Sequence, residues 1–311
     1  MNVDLSIFYT SLVSIALIIG LGWFTGRRGW IDERTNKALI NLLLSVVWPC
    51  ALVTSFPNEF SMQSLNSFLW GVGGGVAVLV VMILISRLLF RKKRHPKHYF
   101  EYQFAFIFNN ASFLGFPLVS TIYGQEGLIP YAGFILIFNL ALFGYGTMLF
   151  REKFTWRDVG RTFLNPCVIA VFLGLILFIF SLKLPVFLDK SLGYVGAMMT
   201  PMSLICIGFM LSRAKLLQIL RRRILMWTCV AQLILDPLVT FLVLKILGAP
   251  ADVVQILVLI QALPTATSLG LFAEKYRGEA GSASELVALS TVLSAITLPL
   301  LMWGMFNLFG L

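Results

Sequence analysis

Two apolar segments carry the polar side chains with the most obvious scope for chemistry. The first reads FNNASFLGFP and sets Asn109, Asn110 and Ser112 ahead of Pro117. The second reads QALPTATSLG and sets Gln261, Thr265, Thr267 and Ser268 around Pro264. Amides and hydroxyls donate and accept hydrogen bonds, so they can hold a polar solute or satisfy freed backbone. Proline removes a helical hydrogen bond. Within a bilayer such an interruption is tolerated only where protein or a water-lined cavity takes up the freed groups. Pro117 and Pro264 are 147 residues apart in a chain of 311, so the breaks fall at corresponding places in its two halves. Paired breaks of this kind point to the binding site of a secondary transporter. A half-helix that begins in mid-membrane also presents bare N–H groups and partial positive charge. Two such ends can hold a carboxylate with no buried Lys or Arg.

Asp236 is the one acid deep inside an apolar run. Intramembrane acids mark ion or proton pathways, which makes this carboxyl a candidate for proton coupling. Asp236-Pro237 also reads as an N-cap followed by proline at the first helical position. Both readings stand. Asn139 and Asn165 are secondary candidates, and Asn165-Pro166 reads first as a helix start. Glu274 and Lys275 fall at a membrane boundary, where solvated charge is ordinary. The chain has no G-x-S-x-G, no H-E-x-x-H, no Walker lysine loop and no intramembrane acid pair. It therefore points away from an enzyme, and no cofactor is expected. His95 and His98 read as surface residues of a basic loop without an acidic neighbour pattern. Cys50, Cys167, Cys206 and Cys229 form no C-x-x-C pair. Neither a metal site nor a disulfide is expected.

The elements that position these residues are membrane helices. The chain is 59% hydrophobic and 12% charged, against about 25% charged for a soluble domain. Ten apolar runs, each near the roughly 20 residues a span needs, cover 5–26, 38–56, 68–86, 102–124, 128–150, 162–182, 191–212, 224–244, 253–273 and 286–309. The net charge of +10 invites a nucleic-acid reading, but 21 of the 24 Lys and Arg residues fall in alternate loops. This is the positive-inside pattern: it places the basic loops in the cytoplasm and both termini outside, with no nucleic-acid partner. The cluster from Arg91 to His98 is read as a topology determinant near anionic headgroups of the lipid bilayer.

Ten spans divide into five and five, and an odd number per half inverts the second half. The expected fold is an all-α integral membrane protein built as a 5+5 inverted-topology repeat, 1–160 and 161–311, with broken crossover helices at the fourth and ninth spans. Pro49 and Pro201, in the second and seventh spans, are 152 residues apart and support the same symmetry. The stretch from Gly71 to Gly75 reads as a close helix-packing surface.

Several motifs resemble the auxin efflux carrier family. Asn110-x-x-Phe113-Leu114-Gly115-x-Pro117, followed by Tyr123-Gly124-x-Glu126-Gly127, is similar to its fourth-span signature. Leu164-Asn165-Pro166 with Leu173-Gly174-Leu175 resembles the opening of its second half. Leu263-Pro264-Thr265-Ala266 and Ala273-Glu274-Lys275-Tyr276 resemble its ninth span, and Leu289-Ser290-Thr291 with Leu298-Pro299-Leu300 its tenth. Ser112 stands where the family often has glycine, and Asp236-Pro237 is not part of its pattern. The resemblance implies a fold related to bile acid–sodium symporters, with spans 1, 2, 6 and 7 as a scaffold and spans 3–5 and 8–10 as a transport domain. It implies elevator-like alternating access for small organic anions, with carboxylates such as malate and malonate associated with prokaryotic relatives. Homodimers occur in the family. Together these observations predict a secondary active transporter of the plasma (inner) membrane, with proton or sodium coupling left open. A channel-like or uniport protein of the same fold is the second reading, and a membrane sensor the third. Substrate identity, direction and oligomeric state are not encoded in any motif.

Overall fold

The computed structural model describes residues 5–57, 59–91, 98–151, 160, 163–214, 219, 222–275, 278 and 280–308. Most of the cluster from Arg91 to His98, including His95, lies outside the described residues, as do the side chains of Glu274 and Lys275. The described chain is helical, and its one pairing of extended backbone is an isolated antiparallel bridge. Among the described residues seven helical runs are long and apolar enough to cross a membrane: Thr10–Arg27, Glu33–Val53, Met62–Leu89, Ala111–Phe150, Val186–Arg213, Arg223–Ile246 and Gly281–Gly304. Pro166–Ile179 and Ala251–Gln261 are shorter apolar helices.

This differs from ten uniform runs for local reasons. The expected fourth run begins in α5 (Tyr99–Ile107), which stops before the run is half complete. After a π turn at Ala111–Gly115 the chain continues as α6 (Phe116–Ala141). Gly124 breaks α6 with φ 61° and ψ −153°, a backbone state that favours glycine. The expected ninth run resolves into α12 (Ala251–Gln261) and α13 (Ser268–Lys275). Neither piece alone reaches the roughly 20 residues of a span.

Around these lie α1 (Leu5–Arg27), α2 (Glu33–Leu42), α3 (Trp48–Val53), α4 (Met62–Leu89), α7 (Thr147–Phe150), α8 (Pro166–Ile179), α9 (Val186–Ala197), α10 (Met199–Arg213), α11 (Arg223–Ile246) and α14 (Ala280–Leu308). Local chemistry sets their starts. Asp32 caps α2 by accepting from the Thr35 N–H at 2.7 Å, and that bond holds its carboxyl below the usual carboxylate range. Pro201 sits in the first turn of α10, where helices accept proline. Pro49 lies inside the continuous helical run Glu33–Val53, directly after a π turn at Leu43–Val47.

The chain forms two compact units. The first comprises Met1–Val72, Ser112–Leu136 and Gly160–Arg213; the second comprises Gly73–Ala111, Ile137–Val159 and Ala214–Leu311. In the first, α1 packs along α10. Their backbones touch: a Cβ on Gly22 would lie 2.3 Å from the Ile205 carbonyl oxygen, and one on Gly208 would lie 2.1 Å from that of Ile19. The expected packing role of the glycine stretch in α4 also holds at Gly71, where a Cβ would lie 2.2 Å from the Pro130 carbonyl oxygen. The second unit has an aromatic core on α5. Phe104 stacks with Phe108, Phe150 and Phe272 at centroid distances of 4.8, 5.6 and 5.1 Å, and Phe108 meets Phe138 at 5.7 Å. The four cysteines are free.

The close contact of α1 with α10 predicts a sharp contrast. Gly208→Val forces a side chain into backbone and should destabilise the purified protein by about 1–3 kcal/mol or more. Gly20→Ala meets nothing within 4 Å and should be neutral or slightly stabilising. Thermal unfolding of the two variants in detergent checks this.

Candidate functional site

In the second unit the two interrupted segments satisfy each other. Phe108 leaves α5 in an extended conformation, φ −109° and ψ 107°, and Asn109 and Asn110 follow. Asparagine competes with helical backbone through its own side chain, which favours a break here without a proline. On the other segment Ala262 and Leu263 close the last turn of α12, and Pro264 offers no N–H to continue it. Asn109 and Thr265 then pair as an antiparallel bridge. The Asn110 N–H donates to the Pro264 carbonyl at 2.6 Å, and the Ala266 N–H donates to the Phe108 carbonyl at 2.8 Å. Only the carbonyl of Pro264 is used, so its missing donor leaves no gap.

Side chains reinforce the pairing. The Asn109 amide donates to the Gln261 side-chain oxygen. The Thr265 N–H donates to Ser290 Oγ at 3.0 Å, and the Thr265 hydroxyl donates to Gln232 Oε1 at 2.8 Å. Gln232 returns a bond from Nε2 to the Leu263 carbonyl at 3.2 Å. Asn109, Gln232, Gln261, Thr265 and Ser290 are all buried. Gln232, on α11, is a participant that the sequence reading passed over, and Ser290, on α14, was named there only within a motif and given no role. Each is a polar residue inside an apolar run, and Gln232 stands one helical turn from Asp236. That spacing was the available signal.

The expected residues divide clearly. Asn109, Gln261, Pro264 and Thr265 come together, and Asn110 joins them through its backbone. Thr267 and Ser268 are half-buried at the turn into α13 and at its first residue. Ser112 and Pro117 belong to the first unit. The break expected at Pro117 lies instead at 108–110. Pro117 directly follows the π turn inside a helical run that begins at Ala111, and its carbonyl takes the Thr121 hydroxyl at 2.7 Å. Asn139 is buried in α6, and Asn165 caps α8 by accepting from the Cys167 N–H at 2.8 Å.

Two further readings are corrected. Asp236 does not restart a helix as an N-cap, because α11 runs through it from Arg223 to Ile246 with Pro237 inside. His98 does have an acidic neighbour: its Nδ1 lies 3.2 Å from Glu101 Oε2, and Glu101 is fully buried. No cluster of metal-ligating side chains occurs among the described residues.

The chemistry on offer is neutral. Asn109 Oδ1, Gln261 Nε2 and Ser268 Oγ are buried without a protein partner, which gives acceptor, donor and hydroxyl capacity around the paired breaks. Buried polar atoms of this kind call for a bonding partner. Neither break segment contains a Lys or Arg. Such a set can bind a small polar or anionic solute by hydrogen bonds alone.

Comparison with known proteins points to membrane transport. The chain matches the family described as membrane transport protein over residues 7–159 and 152–302. It is similar to an uncharacterized transporter of Methanocaldococcus jannaschii, 22% identical over 95% of this chain and 98% of the relative. It is similar to a protein of Rhizobium meliloti named "Putative malonate transporter", 24% identical over 90% of each chain. An uncharacterized transporter of Methanothermobacter thermautotrophicus is 22% identical over 93% of this chain and 96% of its own.

The hydrogen-bond set around Thr265 makes a testable claim about coupling. Thr265→Val removes the donor to Gln232 Oε1, and Gln232→Leu removes the donor to the Leu263 carbonyl and leaves the Thr265 hydroxyl only the Ala105 carbonyl at 3.4 Å. Each should cost about 1–3 kcal/mol. Because the two side chains share a bond, the double variant should lose about 0.5–3 kcal/mol less than the sum. Thermal unfolding of the four proteins measures this cycle.

Proposed function

The chain belongs to the membrane transport protein family, the auxin efflux carriers, and from that premise we propose that it is a secondary active transporter of small organic anions, carboxylates among them. The observation that carries the proposal is the antiparallel pairing of two interrupted segments, with buried amide and hydroxyl groups around it. Interrupted helices in corresponding halves mark transporter binding sites. Asn109, Asn110, Gln261, Thr265 and Ser268 are the proposed substrate contacts. A site without a cationic side chain suits an anion that is held by N–H groups and released readily. The name of the Rhizobium relative favours a dicarboxylate such as malonate as the first substrate to test.

The proposed topology is ten spans in a 5+5 inverted arrangement, in which α5 with the start of α6, and α12 with α13, each make one interrupted span. Transport would proceed by elevator-like alternating access, with spans 1, 2, 6 and 7 as scaffold and the rest mobile. Spans 1, 2, 6 and 7 fall together in the first compact unit, which supports such a scaffold, and 112–136 falls with them. Basic residues in alternate loops favour an inner-membrane protein with both termini outside. A single thiol at position 2 of a cysteine-free variant should react with an impermeant reagent on intact cells, while one at position 93 should stay protected. The opposite labelling overturns the topology.

Binding and flux test the function. The backbone bond of Asn110 survives substitution, so Asn110→Ala should fold. Loss of its amide should weaken malonate binding by roughly 1–3 kcal/mol, tenfold or more in affinity. Ligand-induced thermal stabilisation reads this, and equal affinity in the variant would move the site away from Asn110. Counterflow in proteoliposomes separates a carrier from the channel-like alternative, which shows none.

A further inference from the structure

The buried polar face of α11 takes no part in the pairing beyond Gln232. Gln232, Asp236 and Thr240 are four residues apart, which stacks them along one face of the helix. Asp236 is 1% and Thr240 0% exposed, and neither Asp236 Oδ1 nor Thr240 Oγ1 has a protein partner. Thr228, on the same face, returns its hydroxyl to the Ile224 carbonyl at 2.8 Å, the ordinary use of a helical threonine. Pro237 adds a third acceptor. It has no N–H, so the Leu233 carbonyl lacks its helical donor.

Among the described residues no base balances this acid. α11 packs against α5, α12 and α14. α12 carries Asp252 in its first turn and no other ionisable residue. α14 carries Glu285, paired with Arg222. α5 carries Tyr99, Tyr102 and Glu101, the last paired with His98. Gly74 of α4 approaches Leu244, and the charged residue of α4, Arg87, lies in its last turn and bonds the Tyr145 hydroxyl at 3.2 Å. On α11 itself Cys229 is buried, and Arg223 and Lys245 stand at the two ends, about 20 and 14 Å along the axis from Asp236 at 1.5 Å per residue. An ionised carboxylate with no partner in hydrocarbon is strongly disfavoured. The charge of Asp236 must therefore be balanced by something that arrives and leaves.

We propose that Asp236 is a proton site coupled to the paired breaks, with Thr240 as the side chain that receives its O–H and Gln232 as the positioning residue between proton and substrate. This rests on the reading of the breaks as an anion site. The Asp236 carboxylate takes one proton from water on one side of the membrane, forming an O–H bond. It returns that proton to water on the other side, becoming a carboxylate again. Gln232, one turn away, holds both the Leu263 carbonyl and the Thr265 hydroxyl. A carboxylate bound there and an ionised Asp236 would repel across roughly 10 Å, enough for about a tenfold change in affinity at an intermediate dielectric. The anion accordingly binds best when Asp236 is protonated, and its binding increases the affinity of Asp236 for the proton by the same factor.

Two measurements test this on the full reconstituted chain. In infrared difference spectra taken across a pH titration without substrate, the wild type should show a protonated-carboxyl C=O band that is missing from Asp236→Asn and displaced in Thr240→Val. Absence of any band assignable to Asp236 overturns the proposal whatever the substrate. In proteoliposomes with malonate as the probe, an imposed pH gradient should raise wild-type uptake about tenfold. Asp236→Asn should lose that response while still exchanging malonate. A gradient response that persists in folded Asp236→Asn, or a response to a sodium gradient in place of a pH gradient, overturns it. If malonate neither binds nor moves while the Asp236 band titrates, the anion assignment has failed and the proton site stands.

Discussion

A buried backbone group that loses its helical partner must find another, and the second unit is organised by that fact. A chain that leaves helical geometry inside a bilayer exposes donors and acceptors at several kcal/mol apiece. Here two segments leave it together, and each carries the bonds that the other lacks: Asn110 N–H to the Pro264 carbonyl, Ala266 N–H to the Phe108 carbonyl. Everything nearby follows from keeping that pair in place. Gln232 and Ser290 tie the Thr265 side from two different helices. Phe104 of α5 and Phe138 of α6 pack against Phe108 and hold the other segment in an apolar setting.

The arrangement also explains why the site is built from amides. A lysine or arginine would bring a permanent charge into a region with nothing to pair it. Asparagine, glutamine and threonine supply both donors and acceptors without that desolvation cost. They can satisfy one another, as Asn109 and Gln261 do, and still leave an oxygen and a nitrogen with unused capacity.

Much of this was legible in the sequence, and the exceptions have physical causes. The apolar runs, the helical class and the involvement of Asn109, Gln261 and Thr265 follow from residue types at known offsets. Proline misplaced the first break. Pro117 reads as a helix breaker, yet it follows a π turn within a helical run that begins at Ala111, and the interruption falls upstream at Asn109 and Asn110. Asp236-Pro237 looked like a cap because sequence gives no view of the helix on its N-terminal side, which continues without interruption. Gln232 and Ser290 went unrecognised because their roles are set by helices that are distant in sequence. The length of helix on either side of a break is likewise fixed by tertiary pairing, so a 20-residue run can resolve into two short pieces.

The bonds that join Phe108, Asn110, Pro264 and Ala266 run through the main chain alone. Any residue type could supply them, except that positions 110 and 266 must keep an N–H and so cannot be proline. The framework of the crossing is thus written in backbone, while the side chains projecting from it are separately replaceable. Relatives sharing only 22–24% of their residues with this chain can carry the same framework. If these amides and hydroxyls hold the cargo as proposed, a change of cargo needs a few exchanged side chains on an unchanged chassis.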